Sequence, residues 1–181
     1  RHICVFSIKK IMKSGKNIVF LGMMGSGKTS IGYMVSKKLD LDFFDIDNLI
    51  EKKLDLNISK IFEIKGEKFF WEFEEKTTLD ILKKKNVVIS LGGGAFLNRN
   101  IRTEVLKNHL SFWLKNDDKI IIKRILNNPK RPVAFNSTKN ELLNLIKKRS
   151  KIYSKSMYNI VCDKLTKNEI AKKVLEIYET N

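Results

Sequence analysis

Apolar residues fall into two alternating rhythms along the chain. Asn17–Leu21 is a short apolar run closed by Gly22, the mark of a buried strand, and Lys28–Leu39 places Ile31, Met34, Val35 and Leu39 at helical spacing. Asp42–Ile46 reads as strand and is followed by short helical pieces to about Ile64. Glu67–Lys85 predicts a longer helix, and Val87–Leu91 a β-branched strand ending in Gly92-Gly93-Gly94. Asn98–Lys107 predicts helix, Leu110–Leu114 strand and Asp117–Leu126 helix. A polar stretch holding both prolines, Pro129 and Pro132, runs from Asn127 to about Thr138. Beyond it come a helix to about Tyr153, a strand at Asn159–Cys162 and a last helix from Lys167. Five strands separated by helices predict a five-stranded parallel sheet covered on both faces, a three-layer α/β/α sandwich. Ligands of such sheets bind beyond the carboxyl ends of the strands.

The 181 residues have the length of one domain, and 43% hydrophobic with 31% charged residues excludes disordered and fibrous classes. Residues 1–15 read as a leader, disordered or misassigned as a start, with Met12 five residues before the first strand; 16–181 read as a single domain. The net charge of +16 calls for polyanionic partners: nucleic acid, a membrane surface or phosphorylated small molecules. Its make-up weakens the first two. There are 30 Lys but only 6 Arg, alongside 22 Ile and 16 Asn, the accent of AT-rich coding, and the lysines are spread over nearly every segment. A nucleic-acid footprint would concentrate arginine in a patch. No run approaches the roughly 20 apolar residues of a membrane span. Two cysteines, Cys4 and Cys162, make no disulfide framework and fit a reduced cytoplasm.

The first strand runs directly into Gly22-Met23-Met24-Gly25-Ser26-Gly27-Lys28-Thr29, a full G-x-x-x-x-G-K-[ST] between strand and helix. Glycines let such a loop curl until its N–H groups point at phosphate oxygens, and the helix N-terminus adds its dipole. Lys28 would reach the β- and γ-phosphates, and the Thr29 hydroxyl would bind Mg²⁺. Gly25, Ser26, Gly27 and Ser30 complete the candidate nucleotide site. A bare glycine-rich turn is the competing reading. A GTPase would need N-K-x-D, which does not occur, and 181 residues leave little room for a helicase. Small-molecule kinases remain.

Asp45-Ile46-Asp47 closes the second strand, and a spacing of two would put both carboxylates on one face of an extended segment. One could hold the Mg²⁺ hydration shell and the other take a proton from a substrate hydroxyl; equally, Asp47 could cap a helix Asn48–Leu54. Gly92-Gly93-Gly94 closes the third strand, either for close backbone approach or as a tight turn.

This ordered set, followed by Arg131-Pro132 and by Arg149 with Tyr153 four residues on, resembles shikimate kinase over roughly residues 16–178. The resemblance implies a P-loop NTPase fold with a small substrate-binding region at about 46–76 and a lid at about 126–139. It implies Mg²⁺-dependent transfer of the ATP γ-phosphate to the 3-hydroxyl of shikimate, in the chorismate route to aromatic amino acids. Asp45 then matches an aspartate near Mg²⁺, and Asp47 the candidate base that contacts shikimate hydroxyls. Gly92, Gly93 and Gly94 match glycines lying against the substrate ring. Phe62 and Phe70 match aromatics of that pocket, although ordinary core packing also accounts for both. Ser90 matches a polar position behind the Mg²⁺ site. Arg131 matches the lid arginine that reaches the transferring phosphate, Arg124 the arginine that stacks on adenine, and Arg149 an arginine that grips the substrate carboxylate. The implied partner is a free small molecule, with neither nucleic acid nor membrane, acting on a cytoplasmic monomer.

One position departs from the family. Its pattern Gly-Glu-x-x-Phe-Arg-x-x-Glu is here Gly66-Glu67-Lys68-Phe69-Phe70-Trp71-Glu72-Phe73-Glu74, with Trp71 where a second carboxylate-binding arginine belongs. Arg149 with a nearby lysine could suffice, the substrate could differ, or the copy could be damaged. The favoured expectation is weaker shikimate binding with the reaction type intact. The alternatives are another P-loop kinase, acting on gluconate or a nucleoside monophosphate, and a nucleic-acid-binding NTPase.

Overall fold

The computed structural model describes residues 15–127 and 137–181. Residues 1–14, which hold most of the expected leader, and 128–136, which carry Pro129, Arg131 and Pro132 of the expected lid, lie outside the described residues.

Strands β1 (Ile18–Leu21), β2 (Asp42–Asp45), β3 (Val87–Ser90), β4 (Leu110–Lys115) and β5 (Tyr158–Val161) form one sheet in the order β2-β3-β1-β4-β5, every pairing parallel. Between and after them run α1 (Lys28–Leu39), α2 (Ile46–Leu54), α3 (Ile58–Leu82), α4 (Arg99–Asn108), α5 (Asp118–Leu126), α6 (Lys139–Tyr153) and α7 (Lys167–Glu179). Each strand-to-strand connection must therefore cross over the sheet, which is what covers both of its faces.

The two-residue period of β1 divides its side chains between two cores. Ile18 and Phe20 pack with Ile31 and Val35 of α1 and with Ile170 and Val174 of α7. Val19 and Leu21 pack on the other face with Ile50 of α2, Ile101 of α4 and Ile146 of α6. All eleven of these side chains except Ile170, Ile146, Ile31 and Leu21 have no exposed area at all. Full burial of a side chain of this size stabilises by about 1.5–3 kcal/mol, so β1 is the anchor of both layers and of the loop that follows it.

Helix α3 differs from its expected short pieces plus Glu67–Lys85: it runs Ile58–Leu82 and breaks once, at Gly66, where φ is 83°. A β-carbon there would meet nothing within 4 Å, so the left-handed backbone alone explains the glycine. The far end of α3 is fixed by buried Asn17, which donates to Leu82 O at 3.1 Å and Lys84 O at 2.8 Å and accepts from Val87 N at 3.2 Å. That clasp sets where β3 begins, and so where its glycine-rich carboxyl end emerges. α6 and α7 each start with a capping box, Thr138 with Glu141 and Thr166 with Glu169.

Candidate active site

The carboxyl ends of β1, β2 and β3 lie side by side, since Phe20 is in register with Ser90 and Ser90 with Asp45. In the loop after β1, Gly22, Gly25 and Gly27 have φ of 138°, 80° and 98°, a backbone that strains any residue with a β-carbon. At Gly22 a β-carbon would also lie 3.0 Å from Leu114 O. Lys28 is buried, its Nζ donating to Gly22 O at 2.9 Å and Met23 O at 3.0 Å, so the ammonium is held inside the curl. Ser26 Oγ is buried without a hydrogen-bond partner among the described residues. Arg124, from the last turn of α5, donates to Gly25 O at 2.9 Å and to Asn116 Oδ1 at 3.3 Å. Asn116 in turn donates to Ser26 O at 3.3 Å. In the sequence Asn116 carries one signal, its place just beyond the carboxyl end of β4.

The two aspartates separate. β2 stops at Asp45 and α2 begins at Ile46, so the pair does not share the face of an extended segment as expected. Asp45, not Asp47, is the N-cap: its Oδ1 accepts from Asn48 N at 3.2 Å, while its Oδ2 accepts from Thr29 Oγ1 at 2.6 Å. Asp47 sits in the first turn of α2 and reaches the glycines after β3. The Thr29 hydroxyl and the Asp45 carboxylate are hard oxygen donors at the phosphate loop, a set that fits Mg²⁺, which keeps waters and takes few protein ligands beside substrate phosphates. Among the described residues no group of three or more His, Cys, Asp and Glu could hold a metal ion.

Gly92, Gly93 and Gly94 all have ordinary φ, and what excludes side chains there is their neighbours. A β-carbon on Gly92 would lie 2.2 Å from Glu74 Oε1 and 2.6 Å from Asp47 Oδ1, so two carboxylates converge on one point. At Gly94 it would lie 2.7 Å from both Cη2 and Cζ3 of Trp71, and at Gly93 3.3 Å from Arg149 Nη1. Gly93 O accepts from Arg149 Nη1 at 3.2 Å and from the Tyr153 hydroxyl. Arg149 Nε is buried and unpartnered among the described residues. Glu74 is 2% exposed; burial first, then the charge of Asp47, pushes its pKa up to about 8, with Arg149 opposing. Burial likewise pushes Tyr153 up to about 12, so it stays a neutral donor to Gly93.

The expected acceptor residues Asp47, Gly92, Gly93, Gly94 and Arg149 thus come together. Phe70 is buried in the core and Phe62 half-buried against it, ring centroids 4.6 Å apart, with Trp71 edge-on to both. Ser90 is buried at the end of β3, in register with Asp45. Ser30 and Thr29 are exposed in the first turn of α1. Arg131 lies outside the described residues. In the sequence Glu74 stands out only as the last residue of the Gly66–Glu74 pattern. Cys162 is buried, which pushes its pKa up to about 11, and Cys4 lies outside the described residues.

Comparison with known proteins follows the same lines. The family model for shikimate kinase matches residues 24–179. The chain is 35% identical to the shikimate kinase of Bartonella quintana over 179 residues, 97% of this chain and 85% of that protein. It is 39% identical to the shikimate kinase of Bacillus subtilis over 170 residues, 89% of this chain and 88% of that one. Among solved structures, the shikimate kinase of Acinetobacter baumannii in complex with shikimate superposes with a TM-score of 0.88 at 27% identity, covering 95% of this chain and 97% of its own.

Proposed function

The chain belongs to the shikimate kinase family and is an ATP-dependent kinase of shikimate, and we propose how its own residues divide the transfer of the γ-phosphoryl group to the 3-hydroxyl. The loop 22–29 and the N-terminus of α1 cradle the phosphates, with Lys28 neutralising the charge that develops between the β- and γ-phosphates. Arg124 holds Gly25 from behind and faces the nucleotide; the role of Arg131 at the transferring phosphate rests on sequence resemblance alone. Thr29 and Asp45 would hold Mg²⁺, which when bound shields phosphate charge. Asp47 takes the proton of the attacking hydroxyl. As the oxygen–phosphorus bond forms, the bond from phosphorus to the β–γ bridging oxygen breaks and its electron pair leaves with ADP. Arg149 takes the substrate carboxylate, and Gly92–Gly94 bring the backbone close to the ring.

One observation carries this reading: two aspartates a residue apart are dealt to different partners, Asp45 to the nucleotide loop and Asp47 to the glycines. A pocket with carboxylates and an arginine on one side and a phosphate cradle on the other suits an anionic polyol acceptor better than a nucleoside monophosphate or a nucleic acid, and between the anionic polyols shikimate and gluconate the relatives named shikimate kinase favour shikimate. We assign residues 46–76 to acceptor binding and place the enzyme in the cytoplasm as a monomer acting on free shikimate. No helix among the described residues is long and apolar enough to cross a membrane.

The test is ADP release by the purified protein with Mg-ATP, with and without shikimate. Shikimate should stimulate it and appear as the 3-phosphate. Stimulation by gluconate or a nucleoside monophosphate but not by shikimate overturns the assignment.

A further inference from the structure

Gly94 is not required by its backbone. Its φ of −97° and ψ of −22° lie where any L-residue is at ease. The space its β-carbon would fill belongs to an indole, with two ring atoms of Trp71 at 2.7 Å from that position. Nor is the indole free to swing away. Its Nε1 donates to Glu67 Oε1 at 2.9 Å, one turn earlier on α3, and its ring stands edge-on to Phe70 at 5.0 Å and to Phe62 at 5.9 Å. Such pairs favour a fixed geometry beyond simple contact. Both Trp71 and Gly94 keep part of their surface open, and the preceding residue of the loop, Gly93, is held by Arg149. A rigid aromatic surface and, among the described residues, a single guanidinium therefore flank the same glycines.

We propose that Trp71 is a specificity-determining residue of the acceptor pocket: its indole, locked against Gly94, is the apolar wall on which the ring of a cyclic hydroxy-acid lies, leaving the carboxylate to Arg149. This rests on the shikimate kinase reading. An apolar wall with a few placed polar groups is the usual make-up of small-molecule sites, and an aromatic face takes the C–H edge of a ring where a cation would take its carboxylate. Trp71 is then a working part of the pocket rather than a gap where an arginine is missing. Gly94 follows from it, because the wall leaves no room for a methyl group.

Steady-state kinetics on the full chain test this, varying each substrate in turn. Trp71→Ala should raise the KM for shikimate about tenfold, leave kcat within about twofold and leave the KM for ATP unchanged. Trp71→Phe should recover most of the loss. Gly94→Ala should raise the same KM in the parent enzyme and add little in the Trp71→Ala background, since the clash it creates has been removed. Should Trp71→Ala melt too low to assay, shikimate titration of Trp113→Phe is the second measurement. The chain has two tryptophans, so emission then comes from Trp71 and should change saturably. An unchanged KM in Trp71→Ala, full additivity with Gly94→Ala, or emission blind to saturating shikimate overturns the proposal. Absence of shikimate-dependent ADP release in the parent enzyme would instead overturn the functional reading beneath it.

Discussion

Two glycine-rich loops leave neighbouring strands of the sheet, and they use glycine for different reasons. After β1, Gly22, Gly25 and Gly27 all have positive φ, and conformation demands the residue. After β3, no glycine has positive φ, and each is small because something else needs the room: two carboxylates at Gly92, a guanidinium at Gly93, an indole at Gly94. The first loop is a local device that carries its function in its own sequence. The second is a junction whose shape is decided by α2, α3 and α6, so it can be retuned by substitutions far away in the chain.

Lys28→Ala should strike hardest and on one side only, lowering kcat about a thousandfold by removing a charge aimed at the phosphates, while equilibrium binding of shikimate changes little. Comparable losses in both would show the two loops to be one unit and break the contrast. Glu74→Gln probes the junction. The native carboxyl keeps its proton to about pH 8, whereas the unfolded one ionises near 4.5, so between these values the native state binds the extra proton and stability falls as pH rises. The glutamine variant lacks that slope. Its Tm should exceed the parent's by roughly 3–8 °C at pH 8 and converge with it toward pH 4.5; parallel Tm curves would refute the buried, proton-holding carboxyl. The smallest effect is expected for Arg124→Ala, which removes one clasp on Gly25 O and should raise the KM for ATP about threefold to tenfold, with the KM for shikimate unmoved.

The contrast also explains what could be read from the chain. The phosphate loop was legible because its chemistry, its strand and its helix are contiguous, and a central strand such as Val87–Ser90 because burial on both faces makes it a continuous β-branched run. The Asp45–Asp47 pair misled: alternation by two continues through Ile46, and nothing local says that the Asn48 N–H draws Asp45 into a cap and starts the helix there. The pattern separates short pieces ending near Ile64 from a helix starting at Glu67, and the chain instead runs through Gly66 as one broken element. Glu74 was invisible as a site residue, since its altered acidity comes from burial and from Asp47, twenty-seven positions away. The cause of Gly94 lies twenty-three positions back, at Trp71, where the sequence showed only a departure from pattern. The charge of +16 shrinks in significance too: the cations that touch the described site are Lys28, Arg124 and Arg149.

Asp45 spends one carboxylate oxygen on the Asn48 N–H in the first turn of α2 and the other on the first turn of α1. Loss of such a cap costs about 1 kcal/mol by itself, so replacing Asp45 with alanine would fray the turn that carries Asp47 as well as disturb the phosphate end. Any phenotype would then confound the two ends of the reaction. Asparagine, which keeps an acceptor for the Asn48 N–H while discarding the charge, is the substitution that tells them apart, and the same arithmetic narrows what evolution can tolerate at this one hinge between two substrates.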